Sequence, residues 1–293
     1  MIPLFDLHCD TLLEAYNNNC SLTDNELHVS LNKASFFEPY YQVFSIWSDF
    51  RLENDAAYNK ALHVIEHFKH LGFKNFFDKN TNFILGIEDA RLLNGNISRL
   101  FHLFSLGLTV LTLNWKGVSC IGGGYDTDIG LTDFGNEAVI QASRLKIIID
   151  LSHSSHMTFK DTIKLAEKYD FTPIASHSCS YSINAHKRNL TDDEFCVLRD
   201  LGSVVGISFA KEHLGGNADF EAICKHINHY LSLGGENSIA LGCDFDGVSS
   251  LPTGIDSIQD LTHFYQYISS KFGKKISDKI FFQNAFRYFN ERR

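Results

Sequence analysis

Near its start the chain reads Phe5-Asp6-Leu7-His8-Cys9-Asp10. In an extended segment alternate side chains share a face, so His8 and Asp10 point the same way. An imidazole nitrogen beside a carboxylate oxygen suits zinc or a similar divalent ion. Alone, the pair reads equally well as a solvated histidine followed by a helix-capping aspartate. Four further apolar runs tip the balance, because each delivers a donor at its C-terminal end: Glu88 after 83–87, His153 after 146–152, His177 after 173–176 and Asp244 after 238–243. Three His, two Asp and one Glu exceed the roughly four ligands of a single zinc. Their natural division is two metals about 3.5–4 Å apart under a bridging carboxylate, for which Glu88 is best placed. A water shared by two such ions yields hydroxide at neutral pH without a Ser or Cys nucleophile, so the chemistry to expect is hydrolysis.

The elements that must position these donors are short runs rich in Ile, Val, Leu and Phe at 4–8, 42–47, 83–87, 109–114, 146–152, 173–176, 204–209 and 238–243. Longer amphipathic stretches separate them, as in repeated βα units. Ala61, Val64, Ile65 and Phe68 keep helical spacing, as do Phe220, Ile223, Ile227 and Leu231. Eight such runs predict an α/β chain folded as a single (β/α)8 TIM-type barrel over residues 1–293, its metal site at the C-terminal ends of the strands. Only four prolines occur and no Gly/Ser/Pro-rich linker divides the chain, which favours one domain over two. The long connection after the first run and the Gly122-Gly123-Gly124 loop are candidate walls of the site. That glycine run lacks a following Gly-Lys-Ser/Thr and the dinucleotide spacing, so a flexible loop is expected there rather than a phosphate cradle.

With 293 residues, 44% hydrophobic and 21% charged, the chain can bury a large core, which excludes wholesale disorder. A net charge of −9 without any basic block argues against nucleic acid and anionic membranes as partners. No apolar run approaches the ~18–20 residues of a membrane helix, and the opening Met1-Ile2-Pro3-Leu4-Phe5-Asp6 does not read as a signal peptide. A cytoplasmic setting is expected. It agrees with seven scattered cysteines lacking any C-x-x-C pair, which read as reduced thiols.

Longer motifs carry a family resemblance. Asp6-x-His8-x-Asp10, Ile87-Glu88, Asp150-Leu151-Ser152-His153-Ser154, Ser176-His177-Ser178, Arg188-Asn189-Leu190-Thr191-Asp192-Asp193 and Gly242-Cys243-Asp244-Phe245-Asp246-Gly247 resemble, in order, the signatures of the renal (membrane) dipeptidase family, peptidase family M19 of the amidohydrolase superfamily. Gly130-Leu131-Thr132-x-Phe134-Gly135 and Asn284-Ala285-Phe286-Arg287 extend the resemblance over nearly the whole chain. It implies a zinc-dependent dipeptidase with two Zn2+, manganese or cobalt being the alternatives. His8, Asp10 and Glu88 would hold one ion; Glu88, His153 and His177 would hold the other. Asp244 would be the proton shuttle, and Arg188 would bind the free C-terminal carboxylate of a dipeptide that tolerates a D-residue there. The family pattern also leans towards a homodimer, and the absence of a leader or apolar tail towards a bacterial-type cytosolic relative.

One position departs. Where the family shows Leu-Thr-Leu-Thr-His, this chain reads Leu111-Thr112-Leu113-Asn114-Trp115, so Trp115 stands in the register of a histidine that polarises the scissile carbonyl. An indole N–H donates one hydrogen bond but carries no charge. Trp115 is therefore expected to line the pocket and pack on the substrate. Two other readings stay open: the same metals acting on N-acyl amino acids, lactams or phosphoesters, and a metal-binding barrel without activity.

Overall fold

The computed structural model of the chain describes residues 1–75, 77–78 and 82–291. It is an α/β fold with strands β1 (Ile2–Cys9), β2 (Phe37–Trp47), β3 (Phe83–Glu88), β4 (Leu108–Thr112), β5 (Ile148–Asp150), β6 (Val205–Ile207) and β7 (Ile239–Leu241). Their order in the sheet is β5-β4-β3-β2-β1-β7-β6. The pairs β1–β7, β6–β7, β3–β4 and β4–β5 are parallel. Parallel strands are covered on both faces, which is why their sequences read as continuous apolar runs rather than alternating ones. Leu4, Phe5 and Leu7 are accordingly all buried, as are Ile84, Leu85 and Ile87.

Two compact units make up the chain. The first comprises Met1–Val43 and Ser176–Glu291, with β1, the start of β2, β6 and β7. Its helix Phe220–Ser232 starts where the Asp219 side chain accepts from Ala222 N at 2.9 Å. Ile223 and Ile227 are buried as the periodicity predicts, but Leu231 is only partly covered, and Tyr230 goes deeper, stacked on Phe195 at 3.9 Å. Gly206 and Gly242 admit no side chain, since a Cβ on either would lie within 2 Å of Ser176 O. Only glycine lets the segment that carries His177 lie against these strands.

The second unit, Phe44–Ala175 among the described residues, holds the end of β2 with β3, β4 and β5. Helix Asn54–His67 buries Ala57, Ala61, Val64 and Ile65, and Phe68 closes its C-terminus, also buried. Thr132 and Ser155 cap helices Asp133–Arg144 and His156–Tyr169, accepting from Gly135 N at 2.9 Å and Thr158 N at 3.0 Å. The triple-glycine segment differs from the flexible loop expected. It is buried and bridged to Val118, Leu131 and Ser154, and Cβ atoms on Gly122, Gly123 and Gly124 would meet neighbouring backbone at 2.7, 2.4 and 2.6 Å. Its glycines serve close packing.

Among the described residues seven strands form where eight runs were expected. Residues 173–176 make only the isolated bridge Asp150↔Ile174, with Leu151 N donating to Ile174 O and Ile174 N to Ile149 O, both at 2.8 Å. Pro173 brings no N–H to a ladder, which shortens a run of only four residues. Run 146–152 shrinks to β5 because Lys146 has φ +60° and Ile147 N still bonds to Ala142 O of the preceding helix.

Candidate functional site

In the first unit, His8 lies at the end of β1 and Asp10 just beyond it, 1% and 5% exposed. Asp10 N donates to Phe245 O at 2.8 Å, and Asp244 N donates to His8 O at 3.1 Å, so the end of β1 and the loop after β7 are laced backbone to backbone. Asp244 itself sits at φ +60°, in the left-handed region that is uncommon for residues other than glycine and that Asp and Asn enter most readily. The result places His8 Nε2 3.5 Å from Asp10 Oδ2 and 3.8 Å from Asp244 Oδ1. Gly247 completes the turn: a Cβ there would lie 2.2 Å from Asp10 Oδ2 and 2.4 Å from Asp244 Oδ1, so glycine leaves the space between the two carboxylates. Asp246 fastens the loop, accepting from His28 N at 2.7 Å and from Thr11 Oγ1, while its own N–H donates to His28 Nδ1 at 2.8 Å.

His177 is fully buried, its ring centre 3.8 Å from that of His8. The Ser176 hydroxyl lies 2.7 Å from His177 Nδ1. Engaging one ring nitrogen in this way fixes the ring and leaves Nε2 for a ligand bond. Arg188 is 4% exposed, with Nη1 donating to Ser178 Oγ at 3.0 Å and Nη2 to His177 O at 2.9 Å. Asp6, the first aspartate of the motif, points elsewhere: it is fully buried and accepts from Gln42 Nε2 and Cys243 N, both at 2.8 Å. Burial pushes its carboxyl up against the lowering effect of those two bonds.

In the second unit, β3 ends in Glu88, whose Oε1 lies 2.9 Å from His153 Nε2. Both are under a tenth exposed. Ser48 holds this strand end, donating from N to Glu88 O at 2.9 Å and from Oγ to Asp89 O at 2.8 Å. His153 has φ +67°, and Tyr125 N, just past the glycine segment, donates to His153 O at 2.7 Å. Burial pushes the neighbouring Asp89 carboxyl up to about 7, with Arg91 pulling it down and Glu88 raising it further. Trp115 lies near the His153 ring. Its ring centre is 6.2 Å from that of His153, stacked on Phe50 at 5.2 Å and edge-on to Trp47 at 5.0 Å.

Each unit thus gathers its share of the residues singled out in the sequence: His8, Asp10, His177, Asp244 and Arg188 in one, Glu88, His153 and Trp115 in the other. Their chemistry fits a divalent ion. Ligand atoms of His8 and Asp10, of His8 and His177, and of Glu88 and His153 lie within 4.8 Å of one another. Carboxylates buried beside imidazoles are costly unless a cation shares the site. Sequence reasoning passed over Ser48, Ser176, His28 and Phe50. Ser176 and Asp246 lie inside the quoted motifs, but Phe50 stands in a loop with no pattern to mark it.

Comparison with known proteins supplies a family. The sequence model described as membrane dipeptidase (peptidase family M19) matches residues 1–292. An uncharacterized dipeptidase of Schizosaccharomyces pombe is 30% identical over 185 residues, which is 59% of this chain and 44% of that protein. The chain therefore spans less than half of that relative. Among solved structures, the metallopeptidase dipeptidase AC of family M19 superposes with a TM-score of 0.89 at 24% identity, covering 99% of this chain and 98% of the other. A metallopeptidase from Rhodobacter sphaeroides, liganded with a phosphinate mimic of the dipeptide L-Ala-D-Ala, gives 0.88 at 24% identity over 100% and 99% of the two chains.

Proposed function

The chain belongs to the membrane dipeptidase family of metallopeptidases, and from that premise we propose that it hydrolyses dipeptides at a centre of two divalent ions, zinc in the first place. In this reading His8, Asp10 and Glu88 hold one ion, and Glu88, His153 and His177 the other. A (β/α)8 barrel over residues 1–293, with residues 173–176 in the place of its eighth strand, is part of the same proposal. A dipeptide with a D-residue at its C-terminal position belongs to the proposed substrates, in line with the ligand of the Rhodobacter sphaeroides protein. A cytoplasmic setting is part of the proposal, in line with seven cysteines scattered without any C-x-x-C pair.

The observation that carries the proposal is the first unit's convergence of His8, Asp10, His177 and Asp244 with the buried Arg188 bonded to the His177 carbonyl. When bound, the metal pair supplies Lewis-acid polarisation of the scissile carbonyl and lowers the pKa of water enough for attack at neutral pH. The remaining roles fall to the chain's own side chains. Arg188 takes the substrate's free carboxylate through its planar fork of N–H donors. Asp244, held at the end of the β7 loop, takes the proton of the attacking water and passes it to the departing amine nitrogen, so that a dipeptide and one water become two amino acids. Arg188 also favours a small substrate with a free carboxylate, which its guanidinium can bind bidentately. The test is a dipeptide assay on protein stripped with a chelator and then resupplied with zinc. Activity should vanish and return; hydrolysis that survives chelation refutes the proposal.

A further inference from the structure

Aromatic side chains next to His153 have no role in the chemistry just derived. Phe50 is 48% exposed, yet its ring lies nearly parallel to that of Trp115, with 17° between the planes and 5.2 Å between centres. Trp47, at the end of β2, braces the same indole edge-on. Lys116 Nζ stands 3.8 Å from the centre of the Phe50 ring and 4.6 Å from that of Trp115, so an ammonium marks the rim. The indole and the phenolic ring of Tyr125 are 6.2 and 6.0 Å from the His153 ring, which makes this platform continuous with the candidate site. A half-exposed aromatic ring costs free energy in water, and a rigid stack presents its area without further ordering cost. Trp47 Nε1 is buried and finds no hydrogen-bond acceptor among the described residues, so the bracing is by packing.

We propose that Phe50, Trp115 and Trp47, rimmed by Lys116, form a side-chain subsite that takes the large apolar or aromatic side chain of a dipeptide and disfavours a cationic one. The inference rests on the dipeptidase reading above and names its substrate class. An apolar side chain covering the platform removes its own surface and that of Phe50 from water. A lysyl or arginyl side chain would bring a second positive charge to within a few ångströms of Lys116, an interaction that partial exposure weakens without reversing.

The test compares kcat/KM for Ala-Ala with that for Phe-Ala and Ala-Phe, and for Lys-Ala and Ala-Lys, in the zinc-loaded wild type, Phe50→Ala and Lys116→Ala. Burying a phenylalanine side chain corresponds to a preference of about tenfold to a hundredfold. One of the two phenylalanine dipeptides should show it over Ala-Ala, and Phe50→Ala should reduce that ratio about tenfold. Lys116→Ala should improve the lysine dipeptide of the same order by a few fold. An unchanged ratio in Phe50→Ala overturns the subsite. A second readout is independent of turnover. Trp47 and Trp115 are the chain's two tryptophans, so intrinsic emission reports on the platform alone. A phosphinate isostere of the preferred phenylalanine dipeptide should shift that emission, and the isostere of Ala-Ala should leave it nearly unchanged. Equal responses contradict the subsite even if dipeptides are cleaved. A response confined to the phenylalanine isostere in a protein that cleaves no dipeptide would instead refute the dipeptidase reading and leave the subsite standing.

Discussion

The two units treat their buried side chains differently. In the first, Asp10, Asp244 and Arg188 are each tied to a backbone partner: Asp10 to Phe245, Asp244 to His8, Arg188 to His177. In the second, the pair Glu88 and His153 stands beside a wall of rings, with Asp89 and Asp150 also buried. The glycines mirror the contrast. Gly247 keeps space open between two carboxylates, whereas Gly122, Gly123 and Gly124 close space so that the loop bearing His153 packs tightly. On the proposed function this contrast is a division of labour, with proton and carboxylate handling assigned to the first unit and the reading of substrate shape to the second. Substitutions in the first should therefore hit turnover or binding of every substrate, and those in the second should discriminate between substrates.

The largest effect is expected at Asp244. Asp244→Asn keeps size and shape but removes the proton acceptor, and should lower kcat by about 10²–10⁴ while circular dichroism and melting temperature stay close to wild type. Near-normal turnover in that variant would strip the first unit of its assigned role. Next comes Arg188→Ala, which removes a charged, two-pronged contact and should raise KM for dipeptides about tenfold to a hundredfold. Dipeptides amidated at the C-terminus should suffer a similar loss with the wild-type protein, and equal kinetics on free and amidated substrates would break the assignment. Trp115→Phe, in the second unit, should be milder. It retains an aromatic face, so kcat should stay within a few fold, whereas loss of an oxyanion donor would cost about 10²–10³. A hundredfold fall in kcat would move Trp115 from the shape-reading side of the comparison to the chemical side.

The smallest effect concerns stability. His226 packs behind the His177 segment, fully buried, with Ser180 N donating to its Nδ1 at 3.0 Å and its Nε2 3.1 Å from Leu214 O. That arrangement requires the neutral ring, and burial brings its pKa down to about 4, with His229 and Lys225 adding repulsion against the bond to Leu214. The folded value lies below the unfolded one of about 6.5, so the unfolded chain binds the proton first and the contribution, complete above pH 6.5, is lost as pH falls towards 4. Urea unfolding should lose about 2 kcal/mol between pH 6.5 and 5, and His226→Gln should flatten that slope. An equal slope in the variant would place the acid sensitivity elsewhere.

Much of this was legible in the residues. The H-x-D spacing at His8 and Asp10 follows from strand alternation, and donors at the ends of apolar runs follow from how α/β strands present their last side chains. The buried stripe of Ala61, Val64 and Ile65 needed only helical periodicity. Other features were hidden for physical reasons. His153 and Asp244 adopt positive φ although nothing in a non-glycine side chain announces it. The glycine segment reads as freedom in sequence, but its conformation is fixed by neighbours that only the fold supplies. Residues 173–176 look like a strand by composition, yet Pro173 and their length leave them a single bridge. Phe50 meets Trp115 across more than sixty residues of sequence, a distance over which no local pattern speaks.

The central claim is a centre of two metals assembled from His8, Asp10, Glu88, His153 and His177. It is tested most directly by elemental analysis of the purified protein beside His153→Ala, with folding of both checked by circular dichroism. We expect about two divalent ions per chain in the wild type and the loss of at least one in the variant. A folded wild-type protein that binds no divalent ion after dialysis against zinc, or a His153→Ala variant that retains the full complement, would contradict it.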